Sequence, residues 1–277
     1  MRPRRTGVVE VDELSAHVAD ALVRVVDCRF SFDADLRSAY RAAHLPGAVY
    51  CNWAEDLSDP PAPVRWMIAS PERFAGVMSR LGIDDDTFVV GYDADGGHQA
   101  ARLWWALRYY GHDGVAVLNG GYQAWVAAGR PVESGEPIAR RATRFTPRAR
   151  PERRATKDDV LAILGKGSPV LLDVRRPSEF TGAEVRSKRG GRIPGSRNLE
   201  WKESLDPTLH LKPEGELRAL FGARGVRADT PVVTYCQGGV RASHSAWVLS
   251  LLGNERVRVY DGSWEEWGND PTVPIER

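Results

Sequence analysis

The chain has 277 residues, room for about two domains at ~150 residues each. Apolar residues make up 42% and charged residues 27%, enough for packed cores, and no apolar run approaches the ~18 residues of a membrane helix. A net charge of +1 supplies no global field, so neither nucleic acid nor a membrane surface is expected as a partner.

The basic start, Met1 to Arg5, is followed by Val8-Val9-Glu10-Val11-Asp12-Glu13, too short and too acidic for a secretory signal. The three cysteines, Cys28, Cys51 and Cys236, are too few and odd in number for a disulfide framework, which points to a reducing, cytoplasmic setting. Without CxxC or HxxxH no metal is expected, and without GxGxxG or GxxxxGK[ST] no cofactor.

In chain order, Arg24-Val25-Val26-Asp27-Cys28-Arg29 reads as a short strand ending in Asp-x-Arg. His44-Leu45-Pro46-Gly47-Ala48 then turns the chain. Phe88 to Asp93 is a second strand, Gln99 to Tyr110 an amphipathic helix, Val115 to Leu118 a third strand, and Gly120 to Trp125 a further helix start. The series then begins again. Val170 to Arg175, Arg192 to Ser196, Pro231 to Cys236 and Gly262 to Trp267 repeat these landmarks in the same order, 142 to 148 residues on. Short apolar strands separated by helical stretches predict, in each copy, a parallel sheet with helices on both faces: an α/β fold written twice. The expected division is a first domain over 8–132, a linker over 133–154 and a second domain over 155–277. The linker carries Pro137, Pro147 and Pro151 with Arg140, Arg141, Arg144, Arg148, Arg150, Arg153 and Arg154. It reads as an extended segment laid over the surface, its arginines solvated or paired with domain acids.

Ligands of such sheets lie at the carboxyl ends of the strands, and Cys236 stands at one. Val232-Val233-Thr234-Tyr235-Cys236-Gln237-Gly238-Gly239-Val240-Arg241-Ala242 reads as strand, tight loop and helix. Gly238 and Gly239 let backbone N–H groups turn inward, the helix aims its positive end at the cysteine, and Arg241 adds a charge. Each of these favours a thiolate over a thiol. Cys28 and Cys51 lack this setting and read as structural. Asp93 stands at the matching place in the first copy. Asp173 ends a strand at the same sheet edge and is expected to hydrogen-bond the amides of the cysteine loop. His244 reads as a helix-face residue and Trp264 as core bordering the site.

Cys236-x-x-Gly239-x-Arg241-Ala242 after an apolar strand, with Asp173-Val174-Arg175, Gly191 to Ser196 and Asp261-Gly262-Ser263-Trp264, resembles the active-site framework of tandem rhodaneses over nearly the whole chain. The resemblance implies two rhodanese domains, the first catalytically silent because a carboxylate at Asp93 cannot carry sulfane sulfur. It implies a persulfide on Cys236, cradled by Gln237, Gly238, Gly239, Val240 and Arg241, and no cofactor. The partners implied are a small anionic sulfur donor and an acceptor that is cyanide, a small thiol or a thioredoxin-like protein. Mercaptopyruvate enzymes of the family use an acidic residue and a histidine where this chain has Asn52 and Trp66, so thiosulfate is the expected donor and 3-mercaptopyruvate the alternative. The arginine that vertebrate-type thiosulfate enzymes place after the Asp-x-Arg strand falls at Glu179. Arg186 and Arg189 are the candidate substitutes in the same loop. Two rival readings remain: a phosphatase, whose loop needs Cys-x5-Arg where this one has Arg241 a residue early, and a non-catalytic binding module.

Overall fold

The computed structural model describes residues 7–60, 63–136 and 143–277. Pro137, Arg140 and Arg141 of the predicted linker, and the basic start, lie outside them. The chain forms two compact units. One runs to Asp59 and takes in Ala69–Ala149 and Pro207–Leu211; the other comprises Pro60–Ile68, Arg150–Asp206 and Lys212–Arg277.

The first unit is built from β1 (Val8–Val9), α1 (Val11–His17), β2 (Val23–Asp27), α2 (Leu36–Ala42), β3 (Val49–Tyr50), α3 (Trp53–Asp56), α4 (Pro71–Arg80), β4 (Phe88–Tyr92), α5 (His98–Tyr109), β5 (Val115–Leu118) and α6 (Gly121–Ala127). Its five strands are all parallel, in the order β1-β5-β4-β2-β3. The second unit repeats the plan with β6 (Arg154–Ala155), α7 (Lys157–Ile163), β7 (Val170–Asp173), α8 (Pro177–Thr181), β8 (Arg197–Asn198), α9 (Glu214–Gly222), β9 (Val232–Tyr235), α10 (Val240–Leu251), β10 (Val257–Tyr260) and α11 (Ser263–Trp267). Its order is β6-β10-β9-β7-β8, the same topology.

The six longer strands fall where the apolar runs predict them. They are apolar on both faces because helices cover both sides of a parallel sheet. Core positions repeat as well: Tyr92 and Trp125 in the first unit answer to Tyr235 and Trp267 in the second, all fully buried. The strands β1, β3, β6 and β8, two residues each, are too short to show any period in the sequence. Arg154, read as the last linker residue, instead opens β6 opposite Val259. Nor does the preceding segment only lie over the surface. Phe145 is buried against Phe74, and the Arg148 N–H donates to the Tyr110 carbonyl at 2.9 Å. Arg153 pairs with Glu255 and Arg154 with Asp261. No helix among the described residues is long and apolar enough to cross a membrane.

Candidate active site

Strand β9 occupies the middle of its sheet, between β10 and β7. Its four residues are buried, and Cys236 follows at the carboxyl end with 1% exposure. Three residues on, Gly239 takes φ +81° and ends the turn as the N-cap of α10. That left-handed conformation suits glycine, and it lets the chain reverse into a twelve-residue helix directly beneath the cysteine. The first N–H groups of α10 have no intrahelical acceptor and carry the positive end of its dipole, as an anion site requires.

The second strand-end loop holds the first in place. Ser263, at φ +49°, accepts the Cys236 N–H on Oγ at 3.1 Å and donates its hydroxyl to the Tyr260 carbonyl at 2.8 Å. The Trp264 and Glu265 N–H groups donate to the Cys236 and Gln237 carbonyls at 2.9 and 2.8 Å. Gln237 is buried; its Nε2 donates to Ser187 Oγ and Glu265 Oε2, and its Oε1 has no partner among the described residues. Gly238 lies under an indole: a Cβ there would stand 2.6 Å from the Trp66 ring. Arg65, beside it, rests on that ring and bonds Glu265 at 2.6 Å. No local sequence pattern marks Ser263 or Trp66 as supports of the loop.

In the first unit the equivalent loop shows what such a cradle holds. The Asp93 carboxylate accepts four backbone N–H groups, from Asp95, Gly97, Gln99 and Ala100, at 2.8–3.0 Å. Gly97, at φ +84°, caps α5 as Gly239 caps α10. Counted from these caps, Gly239, Arg241 and Ala242 correspond to Gly97, Gln99 and Ala100. The Asp93 loop reaches its cap one residue later than the Cys236 loop does.

The predicted charges are arranged differently from expectation. Arg241 is not an unopposed cation: its Nη1 and Nη2 donate to the two oxygens of Glu179 at 2.7 and 3.0 Å. Glu179, 1% exposed, also accepts the Arg176 N–H at the start of α8. Burial alone would raise its pKa; the Arg241 hydrogen bonds and charge overcome that and hold it at about 2. Arg186 lies 3.8 Å from the same carboxylate with its side chain 43% exposed. Arg189 is committed elsewhere, donating to the backbone carbonyls of Val273, Trp267 and Asp270. It closes the carboxyl end of α11, where carbonyls lack helical partners. Asp173 accepts the Arg175 N–H at 3.0 Å and, among the described residues, none from the cysteine loop. Both its oxygens engage the Arg175 guanidinium, which reaches the Gly191 carbonyl and lies over the Trp264 ring. An arginine two residues away captures this buried carboxylate with charge-assisted bonds, in place of the cysteine-loop amides. Asp27 and Arg29 repeat the arrangement. His244 is buried edge-on to Trp201 and Trp247, and Cys28 and Cys51 are buried thiols whose pKa burial pushes well up.

A buried cysteine thus ends a central parallel strand, in a glycine turn at a helix start where backbone N–H groups can meet an anion. The Rhodanese-like domain family model matches residues 10–128 and again 156–270. The chain belongs to the rhodanese family. It is 39% identical to the "Sulfur carrier protein TtuD" of Thermus thermophilus, covering 98% of this chain and 96% of that one. It is 38% identical to a thiosulfate sulfurtransferase of Corynebacterium glutamicum, covering 97% and 90%. The crystal structure of SseA from Escherichia coli, described with the fold and mechanism of 3-mercaptopyruvate sulfotransferases, superposes with a TM-score of 0.85 at 32% identity, covering 94% of this chain and 99% of that one.

Proposed function

We propose that this chain transfers sulfane sulfur from thiosulfate to a thiophilic acceptor through a persulfide on Cys236, within the second repeat (155–277). Sulfur transfer as such follows from the family and its sulfurtransferase relatives; the donor and the residues are our reading. The observation that carries it is the placement of Cys236 at the carboxyl end of β9 against the N-terminus of α10.

The Cys236 thiolate attacks the outer sulfur of thiosulfate. The new S–S bond forms as the bond to the sulfonate sulfur breaks, and sulfite leaves with the electron pair. Cyanide or a thiolate, free or on a thioredoxin-like protein, then attacks the outer persulfide sulfur and returns the Cys236 thiolate. The amides of Gly239, Arg241 and Ala242, matching those that grip Asp93, hold the persulfide anion. Gln237, Gly238 and Val240 complete the loop, and Arg186, 3.8 Å from the Glu179 carboxylate, offers the donor a further cation. The first repeat (8–132) is silent, its cradle filled by Asp93. A reducing, cytoplasmic setting suits a chain with three free cysteines. Thiosulfate is preferred over 3-mercaptopyruvate because guanidinium groups stand near the loop, and because Asn52 and Trp66 replace the acid and histidine of the alternative.

Intact mass after brief incubation with each donor tests this. Thiosulfate should add about 32 Da, one sulfur atom, absent in Cys236→Ser and discharged by cyanide. Faster loading from 3-mercaptopyruvate would reassign the donor. No gain from either would overturn the enzymatic reading in favour of a binding module.

A further inference from the structure

Glu179 is a carboxylate with no place in the chemistry at sulfur, yet it is fully buried beside the cysteine loop. A buried carboxylate persists only when paired; Glu179 takes Arg241, 62 residues away, at both oxygens, and Arg176 through its N–H and its Nε at 3.3 and 3.4 Å. The pairing uses two of the five guanidinium N–H groups. Among the described residues Arg241 has no other hydrogen-bond partner, so three donors remain for a ligand. Arg241 sits in the first turn of α10 and its side chain is 14% exposed, so the fork is shielded but reachable. Arg186 is drawn to the same carboxylate at 3.8 Å.

We propose that Glu179 is a positioning residue for the sulfur donor: it pins the Arg241 guanidinium so that its uncommitted N–H groups form a preset fork for the donor's oxyanion end. Fixing an arginine costs rotamer freedom, and pinning by Glu179 meets that cost before the donor arrives. The alternative role is neutralisation of a buried charge, with no bearing on the donor. The proposal rests on the reading of Cys236 as the sulfur-accepting nucleophile.

Glu179→Asp keeps the charge and withdraws the carboxylate by one methylene, which breaks the two-point contact. The expected result is a KM for thiosulfate raised roughly tenfold with kcat within about twofold. In parallel, the rate of Cys236 alkylation by iodoacetate relative to neutral iodoacetamide should fall, because that ratio reads the cation's position without any sulfur chemistry. A charge-reversed pair, Glu179→Arg with Arg241→Glu, should recover thermal stability but neither KM nor the alkylation ratio. Unchanged KM and ratio in folded Glu179→Asp, or full recovery in the reversed pair, would overturn the proposal. Should Glu179→Asp fail to fold, Arg241→Lys carries the test: it keeps the charge without the fork, and an unchanged KM overturns the idea. Failure of the wild-type chain to load sulfur would count against the proposed function alone, since the alkylation ratio still reports on Glu179.

Discussion

At the scale of single residues, the cysteine loop depends on contacts that a conservative change would break. Gly238 has no room for a methyl group under the Trp66 ring. Gly238→Ala is expected to displace the ring or the loop and to lower kcat/KM for sulfur transfer by roughly 10²-fold, the usual penalty for about 1 Å of misplacement. Adding Trp66→Ala should return most of the activity; a double variant as poor as the single one would mean that the backbone, not the ring, is the obstacle. Ser263 supports the cysteine differently. Ser263→Ala leaves the buried Cys236 N–H without its acceptor, and a cost of about 1–3 kcal/mol should appear in urea unfolding.

At the scale of elements, the two strand–loop–helix motifs are the same device with different contents. In the first, the carboxylate of Asp93 ties the end of β4 to the start of α5 through four N–H groups. Asp93→Asn retains one acceptor oxygen and should lose about 2–3 kcal/mol of stability, read as a lower urea midpoint, with sulfur loading on Cys236 unaltered. Loss of loading in a folded Asp93→Asn protein would contradict the silence proposed for the first repeat. The Asp173–Arg175 pair ends β7 in the same spirit. Asp173→Asn strands a buried guanidinium, so about 3–5 kcal/mol should be lost by the same measurement.

At the scale of the whole molecule, buried titratable groups set the acid limit. His112 is held below its ordinary value chiefly by burial, and Glu179 at about 2 by its arginines despite burial. Both are depressed, so the unfolded chain binds more protons than the folded one as pH falls. The His112 contribution is complete above about 6.5 and declines below it; the Glu179 contribution is complete above about 4.3 and is lost as pH approaches 2. Melting temperature followed from pH 8 to pH 3 should fall in two stages, with His112→Gln flattening the first. An unchanged slope in that variant would remove His112 from the account.

Much was readable without coordinates. Valine-rich runs, the glycine turn after Cys236 and the recurrence of Asp-x-Arg are local patterns, and local patterns determined the duplicated α/β plan, the strand that ends at the cysteine and the helix that begins after it. Hydrophobic period and turn chemistry act within a few residues, so a sequence displays them directly. Partnerships did not follow the same rule. That Arg241 faces Glu179, that Arg189 closes α11, that Asp173 serves Arg175, and that Trp66 covers Gly238 were decided only by the tertiary structure. Hydrogen bonds and ion pairs form with whatever donor the fold brings within about 3 Å, and except for the Asp173–Arg175 pair, these partners lie tens of residues apart or more.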